Sequence, residues 1–384
     1  MTRRAGPVEV VSFGCRLNTL EAAAIERVAR ESGRSNLVVI NTCAVTAEAV
    51  RQARQSIRRI ARERPGVDIV VTGCAGETSP ETFLSMPEVA GVVANAAKTE
   101  PAGWSADPAP LGDRAPPIRA LSDAVPGHTR AFLQVQNGCD HRCTFCIIPY
   151  GRGAARSTPM SEAVEAAARL VDQGAAEVVL TGVDLTSWGA DLGQDHRLGD
   201  LVRAILAGVP GLRRLRLSSI DSIEADDRLI DSLACEHRLM PHLHLSLQAG
   251  DDVILKRMKR RHGFADAVRF CENIRRLRPD IVFGADIIAG FPTETEAMFA
   301  RSLDLIEACG LTHLHVFPFS PRPGTPAQRM PQVDPSVRRE RAARLRTAGE
   351  AALGRHLDRQ IGRRLEVLAE NGGVGRAADF TQVV

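Results

Sequence analysis

Over its first hundred residues the chain sets short apolar runs against longer mixed stretches in a fixed rhythm. Residues 8–13, 37–40 and 67–71 are largely aliphatic, and helical stretches over about 19–32 and 47–64 separate them. Alternation of this kind predicts βαβαβ units around a parallel sheet. Strands that are apolar throughout suit such a sheet, because helices cover both of its faces. Each run ends in a cysteine: Gly14-Cys15, then Asn41-Thr42-Cys43, then Thr72-Gly73-Cys74. In open α/β sheets ligands sit beyond the carboxyl ends of the strands. A single cysteine there reads as a small buried residue. Three at one topological position predict a metal centre with three protein thiolates, and zinc stays open as its metal.

The pattern breaks at about residue 101. Pro101, Pro108, Pro110, Pro116, Pro117 and Pro126 fall in a stretch with few apolar runs, which reads as a linker over 101–130. A second strand–helix series follows. Residues 131–136, 177–180, 213–217, 242–247, 281–288 and 314–317 are expected strands, and residues 161–172 an expected helix. Six βα units in a row predict a partial (β/α)6 barrel, with its site at the carboxyl ends of the strands. Those ends carry Thr181-Gly182-Val183-Asp184, Ser218-Ser219, Ser246-Leu247-Gln248 and the run from Asp286 to Pro292. Turn formation explains any one of these glycines equally well. His242 and His244 alternate on one strand and are expected on one face, as an inward layer or as ligand contacts.

A basic helix is expected from Arg338 to about Leu357. The tail reads as a hairpin, two β runs across Asn371-Gly372-Gly373. A lone hairpin is only marginally stable. The fold class is therefore α/β, with a parallel sheet domain over 1–100, a linker over 101–130, a barrel domain over 131–357 and a small β segment over 358–384.

At 384 residues, 44% hydrophobic and 25% charged, the chain has the composition of a globular protein of two or three domains. No apolar run approaches the roughly 18–20 residues needed to span a bilayer. The N-terminus lacks the apolar core and cleavage site of a signal peptide. Nine cysteines without such a signal point to reduced thiols and a cytoplasmic protein. Net charge is only +3, but arginines crowd 51–64 and 338–364, and Lys256, Arg257, Lys259, Arg260, Arg261 and His262 form a third cluster. Such patches suit phosphate backbones; solvated helix faces are the alternative for each.

Cys139, Cys143 and Cys146 give a C-x3-C-x2-C loop. Cubane iron–sulfur clusters usually take four cysteines, so three on one short loop suggest an iron left open to another ligand. A zinc knuckle is the competing reading, but zinc closes a tetrahedron with four ligands. His141, two positions from Cys143, is awkwardly placed to be the fourth. Cys235, Cys271 and Cys309 fall on expected helices and read as core.

The cysteine loop resembles that of radical S-adenosylmethionine (SAM) enzymes, where the amino and carboxylate groups of SAM chelate the fourth iron. Two cysteine triads in this order resemble the methylthiotransferases of that superfamily, whose N-terminal cysteine domain precedes a radical-SAM barrel and a small RNA-binding β (TRAM) domain. The resemblance covers nearly the whole chain; the tail matches about the first half of a TRAM domain. Within the family, the runs Asn41 to Ala49, Thr181 to Ser187 and Gly138 to Gly153 are similar to the branch that acts on threonylcarbamoyladenosine in tRNA. Branches acting on isopentenyladenosine-37 or on a ribosomal-protein aspartate are the alternatives.

The resemblance implies two [4Fe-4S] clusters, one on Cys139, Cys143 and Cys146 and an auxiliary one on Cys15, Cys43 and Cys74. It also implies SAM as cofactor, and methylthiolation of C2 of N6-threonylcarbamoyladenosine at position 37. An aromatic C2–H has no acidity or nucleophilicity to exploit, which is why radical chemistry suits it. No catalytic residue beyond the cluster ligands is expected. Thr181, Gly182, Asp184, Ser218, Gln248 and Asp286 are expected to contact SAM. Expected partners are the tRNA anticodon stem-loop, an electron donor such as a flavodoxin or ferredoxin, and a sulfur donor; no membrane is involved. A basic side chain, not identified by the sequence, should meet the substrate's carboxylate. Electron carriers with closed clusters and RNA-binding zinc proteins are the non-enzymatic alternatives; both need a fourth ligand at each triad.

Overall fold

The computed structural model describes residues 6–105, 129–193, 195–370 and 372–384. The N-terminal unit runs β1 (Val8–Ser12), α1 (Arg16–Glu31), β2 (Leu37–Thr42), α2 (Ala47–Glu63), β3 (Asp68–Gly73), α3 (Cys74–Thr78), α4 (Glu81–Leu84) and β4 (Gly91–Val92). Its strands lie in the order β1-β2-β3-β4, all parallel. Alternate residues of β2 serve opposite faces. Leu37 and Val39 pack with Ile25, Val28 and Ala29 of α1, whereas Val38 and Ile40 pack with Ala53, Ile57 and Ile60 of α2. Burial on both faces is why the strand reads as an unbroken apolar run. The Thr46 hydroxyl caps α2 by accepting from the Ala49 amide at 3.2 Å.

Pro101–Trp104, inside the stretch expected as linker, forms a 3-10 turn. Trp104 is buried against Ile25 and Leu37, and its indole N–H donates to the Lys98 carbonyl at 2.8 Å. An apolar ring of that size outweighs the local proline signal. The remaining prolines of the expected linker lie outside the described residues.

The second unit continues with β5 (Arg130–Gln134), β6 (Gln136–Asn137), α5 (Ile148–Arg152), β7 (Arg156–Ser157), α6 (Met160–Asp172), β8 (Glu177–Thr181), α7 (Leu198–Gly208), β9 (Arg214–Leu217), β10 (Ser219–Ile220), α8 (Asp227–Cys235), β11 (His242–Gln248), α9 (Asp252–Arg257), α10 (Phe264–Leu277), β12 (Val282–Ala289), α11 (Glu296–Cys309), β13 (Leu311–Pro318) and α12 (Pro335–Asp358). Parallel pairing runs β5-β8-β9 and then β10-β11-β12-β13. The third position of this arc is one strand, β9 and β10, broken at Ser218, whose amide still donates to the Leu180 carbonyl at 2.9 Å. Beyond that residue the strand changes partner from β8 to β11. The result is an open six-strand α/β arc, the expected partial barrel. The antiparallel pair β6–β7 pinches together the two ends of the cysteine loop.

The chain closes with β14 (Val367–Ala369), β15 (Gly375–Ala377) and β16 (Gln382–Val383), an antiparallel sheet of three strands. The expected hairpin is present but does not stand alone. Arg214 of β9 donates to the carbonyls of Glu366 and Arg376 at 3.0 and 3.2 Å, and the His356 imidazole meets the Thr381 hydroxyl at 2.7 Å. Phe380 inserts beneath the barrel strands and stacks on His242 with centroids 4.9 Å apart. Docking supplies the burial that an isolated hairpin lacks. Among the described residues no helix is long and apolar enough to cross a membrane.

Candidate metal centres and the cavity between them

The three strand-end cysteines of the N-terminal sheet share one edge. Cys15 begins the turn into α1, Cys43 follows β2, and Cys74 opens α3 directly after β3. Gly14 lies so close to Cys43 that a β-carbon on it would stand 2.4 Å from the Cys43 Cβ and 2.6 Å from its Sγ; its φ of +94° also favours glycine. Burial pushes the Cys43 thiol up to about 11. It must therefore lose a proton to ligate a metal, which couples metal binding to proton release.

Cys139, Cys143 and Cys146 lie on the loop pinched by β6 and β7. Cys139 donates from Sγ to Asp184 Oδ2 at 3.5 Å, and the Arg260 guanidinium lies 3.9 Å from the Cys143 Sγ. Burial raises the Cys146 thiol to about 11, and burial together with the Asp184 charge raises Cys139. His141 Nε2 sits 3.0 Å from Asp184 and 3.4 Å from Glu224; hydrogen bonds to those two carboxylates push the imidazole up to about 10. A protonated imidazole has no lone pair to give a metal.

Thiolates sharing one zinc ion stand about 3.8 Å apart, given Zn–S bonds of ~2.3 Å in a tetrahedron. Among the described residues, ligating atoms gather within 4.8 Å of one another only as Cys139–His141–Asp184 and His244–Asp286–His315. Neither thiol triad is drawn in that tightly. Three thiols on a wider spread, with no fourth thiol beside them, fit a cluster with one open iron better than a closed ion site. Cys271 and Cys309 are buried, as expected of core residues. Cys235 is not: it ends α8 on the outer face and is exposed, because the helix buries Leu229, Ser232 and Leu233 instead.

The two triads face each other. A β-carbon on Gly151 of α5 would meet Cys74 Cβ at 3.1 Å, and Ile147 and Ile148 pack into the N-terminal core with Val71 and Cys74. From the same turn, Arg152 reaches under the N-terminal sheet edge. Its guanidinium donates to Glu21 Oε1 at 2.8 Å, Asn18 Oδ1 at 2.8 Å and Asn137 Oδ1 at 3.0 Å. Lys98 donates to the other Glu21 oxygen at 2.5 Å. Asn18 in turn donates to the carbonyls of Phe13 and Thr42, just ahead of the cysteine turns. Glu21, Lys98 and Arg152 are all nearly sealed from water. Burial alone would raise the Glu21 carboxyl, but the two cations outweigh it and hold it at about 2. None of these three charged residues was singled out by sequence reasoning; charged residues scattered over α1, a loop and a short helix carry no local signal.

Beside Cys15 of the N-terminal triad opens a cavity of about 420 Å³ lined by Cys15, Arg16, Thr181, Gly182, Ser218, His242, His244, Asp286 and Phe380, among others. An adjoining cavity of about 300 Å³ is lined by Val45, Cys146, Gln248, Asp286 and Phe317. Five of the six expected SAM contacts thus reach this space. Thr181, Gly182, Ser218 and Asp286 line the larger cavity, and Gln248 and Asp286 the smaller. The Ser218 hydroxyl is buried with no protein partner. Asp184 differs: its carboxylate is taken by Cys139 and His141, and its amide donates to Gln136 Oε1 at 2.8 Å. His242 and His244 do share the inward face. His244 and His315 hold Asp286 at 2.9 and 3.2 Å; burial raises that carboxyl, but the two imidazoles bring it to about 2.

The basic cluster at 256–262 is divided: Lys256, Arg257 and Lys259 are exposed and make no ion pair among the described residues, whereas the others are matched or buried. Arg260 is half-buried and paired with Asp221 at 2.7 Å, Arg261 pairs with Glu224, and His262 is buried. On α2, by contrast, Arg58, Arg59 and Arg62 are exposed and make no ion pair among the described residues, while Arg51 pairs with Glu48 and Arg64 with Glu9. Along α12, Arg341, Arg344 and Arg355 are paired with glutamates of the preceding segments.

Residues 7–94 match the family described as Uncharacterized protein family UPF0004, and residues 133–306 match the Radical SAM superfamily. The chain is 46% identical over 383 residues to the threonylcarbamoyladenosine tRNA methylthiotransferase MtaB of Rickettsia prowazekii, covering 98% of this chain and 90% of that protein. It is 35% identical to the tRNA-2-methylthio-N(6)-dimethylallyladenosine synthase of Erythrobacter litoralis, covering 95% and 86%. Among solved structures it is similar in fold to the radical SAM methyltransferase TsrM of Kitasatospora setae, with a TM-score of 0.60 at 16% identity over 84% of this chain and 77% of that one. With one cysteine of each triad reaching one of two adjoining cavities and relatives this similar over nearly their full length, the chain belongs to the methylthiotransferase family of radical-SAM enzymes.

Proposed function

We propose that the protein methylthiolates C2 of N6-threonylcarbamoyladenosine at position 37 of tRNA. The observation that carries this is the facing of the two triads: α5, which ends the radical-SAM loop, seats directly on Cys74 of the other triad. One substrate spanning the two adjoining cavities can then be reached from both. Identity of 46% to a threonylcarbamoyladenosine enzyme, against 35% to a dimethylallyladenosine one, supports the branch.

Cys139, Cys143 and Cys146 would hold one [4Fe-4S] cluster and Cys15, Cys43 and Cys74 the other. When bound, the clusters and SAM supply the radical chemistry and the sulfur that a C2–H requires. The chain's own part is orientation and exclusion of water. Thr181, Gly182, Ser218, Gln248 and Asp286 offer polar contacts for SAM along the cavity wall, and the orphaned Ser218 hydroxyl is suited to a ligand. Asp184 acts one step back, fixing Cys139 and His141. Arg152 and Glu21 keep the two centres in register. Position 37 lies in an unpaired loop, so a base can be splayed into the cavity without breaking a pair. The exposed arginines of α2 would bear on tRNA phosphates. An electron donor such as a flavodoxin or ferredoxin, a sulfur donor and a cytoplasmic setting complete the reading.

Anaerobically reconstituted protein, given SAM and reductant, should methylthiolate a threonylcarbamoylated anticodon stem-loop and leave an isopentenylated one unchanged. The opposite preference would keep the family and overturn the branch.

A further inference from the structure

We infer that Arg16 is the cation that receives the substrate's threonyl carboxylate, and so sets which modified adenosine the cavity accepts; this rests on the reading above. Arg16 is the residue after Cys15, at the first turn of α1, and it lines the larger cavity. Its guanidinium lies 5.6 Å from the ring centre of Phe132 and 6.0 Å from that of Phe380. Two aromatic rings hold an arginine in place without consuming its N–H donors.

The other charges around the cavity are matched. Arg216 donates two hydrogen bonds to Glu177, at 2.9 and 3.0 Å. Arg130 pairs with Glu177 and Glu370, and Arg152 with Glu21. Asp286 is held by His244 and His315. Arg16 makes no hydrogen bond or ion pair with any described residue, although it stands among three other arginines within 6 Å of the same Phe380 ring. A guanidinium so placed lacks a carboxylate, and a planar carboxylate is the group its donor fork fits best.

The position also suits the chemistry. The reacting C2 and the N6 substituent occupy different flanks of one base. Consecutive residues, Cys15 and Arg16, then address the two: the thiol toward the auxiliary centre, the guanidinium toward the carboxylate. An isopentenyl group is neutral and apolar, and would leave Arg16 without a counter-charge. Such a site discriminates by penalising the wrong ligand as well as by holding the right one.

The test compares stem-loops carrying threonylcarbamoyladenosine with the same stem-loops in which the threonine carboxylate is a neutral carboxamide. Binding is read by fluorescence anisotropy at fixed salt, and kcat and KM from product mass, on iron-loaded protein. Wild type should favour the acid by about 10- to 100-fold, the range expected for a charge-assisted hydrogen bond. Arg16→Gln should lose that preference mainly through affinity and KM, and Arg16→Lys should keep part of it. If wild type takes the carboxamide as well as the acid, the proposal is wrong, whatever the variants do. An undiminished preference in Arg16→Gln would overturn it equally while leaving the methylthiolation reading intact. Failure of wild type to modify either stem-loop would sink that reading and this one with it.

Discussion

Replacing Glu21 by Gln should separate the two halves of the site energetically. Glu21 accepts from both Arg152 and Lys98 in a space almost closed to water. Gln keeps the shape but leaves two buried cations without a counter-charge, a change that costs about 3–5 kcal/mol. The pKa gives an independent figure. A carboxyl held at about 2 in the folded protein, against an ordinary value of 4.5, contributes roughly 3 kcal/mol at neutral pH, taking 1.36 kcal/mol per unit. Because the folded value is depressed, that contribution is fully present above pH 4.5. It is lost as pH falls from there toward about 2. The assay is urea denaturation of metal-free protein, followed by tryptophan fluorescence in variants retaining only Trp104 or only Trp188, which report the N-terminal unit and the barrel separately. At pH 7 the Trp104 transition of Glu21→Gln should fall by roughly 3 kcal/mol, and hydrogen exchange over α5 should speed up. Near pH 3 the gap between wild type and variant should narrow. Adding Lys98→Met to Glu21→Gln should recover part of the loss, since it removes one orphaned cation. A loss below about 1 kcal/mol at pH 7, or a gap that persists unchanged at pH 3, would refute the reasoning.

Alanine at Cys139, Cys143 and Cys146 should abolish reductive cleavage of SAM while iron remains on the N-terminal triad. Alanine at Cys15, Cys43 and Cys74 should leave cleavage in place and block methylthio transfer, both read by iron content and by 5′-deoxyadenosine and nucleoside analysis. Gly14→Ala forces a β-carbon into Cys43 at 2.4 Å and strains a φ of +94°; the N-terminal triad should load less iron, with the loop triad unaffected. Arg58→Glu, Arg59→Glu and Arg62→Glu together should weaken tRNA binding and flatten its salt dependence by about 2–3 in log–log slope, at ~0.7–0.9 per phosphate contact. Unchanged binding would make that face merely solvated.

Strand positions and the strand-end cysteines were legible because parallel strands buried on both faces, such as residues 37–42 of β2, leave unbroken apolar runs that glycine and polar residues then end. The cysteine loop was legible because its ligands are local. Contacts set by packing between distant segments were not. Glu21, Lys98 and Arg152 lie 54 or more positions apart in sequence and look like ordinary surface charges until the fold buries them together. The same blindness hid the neutralisation of Arg260 and Arg261, since Asp221 and Glu224, which pair with them, come from a different βα unit. Trp104 stood in a proline-rich stretch, and nothing local marks it as core. Cys235 failed for a smaller reason: on a helix of three buried positions, one residue of phase decides between core and solvent.

Nucleoside analysis of bulk tRNA from a strain lacking this gene tests the central claim most directly. The account predicts that 2-methylthio-N6-threonylcarbamoyladenosine disappears, that its threonylcarbamoyladenosine precursor accumulates, and that the wild-type gene restores the modification while versions lacking either cysteine triad do not. Persistence of the 2-methylthio nucleoside in the deletion strain, or its restoration by a version lacking one triad, would contradict it.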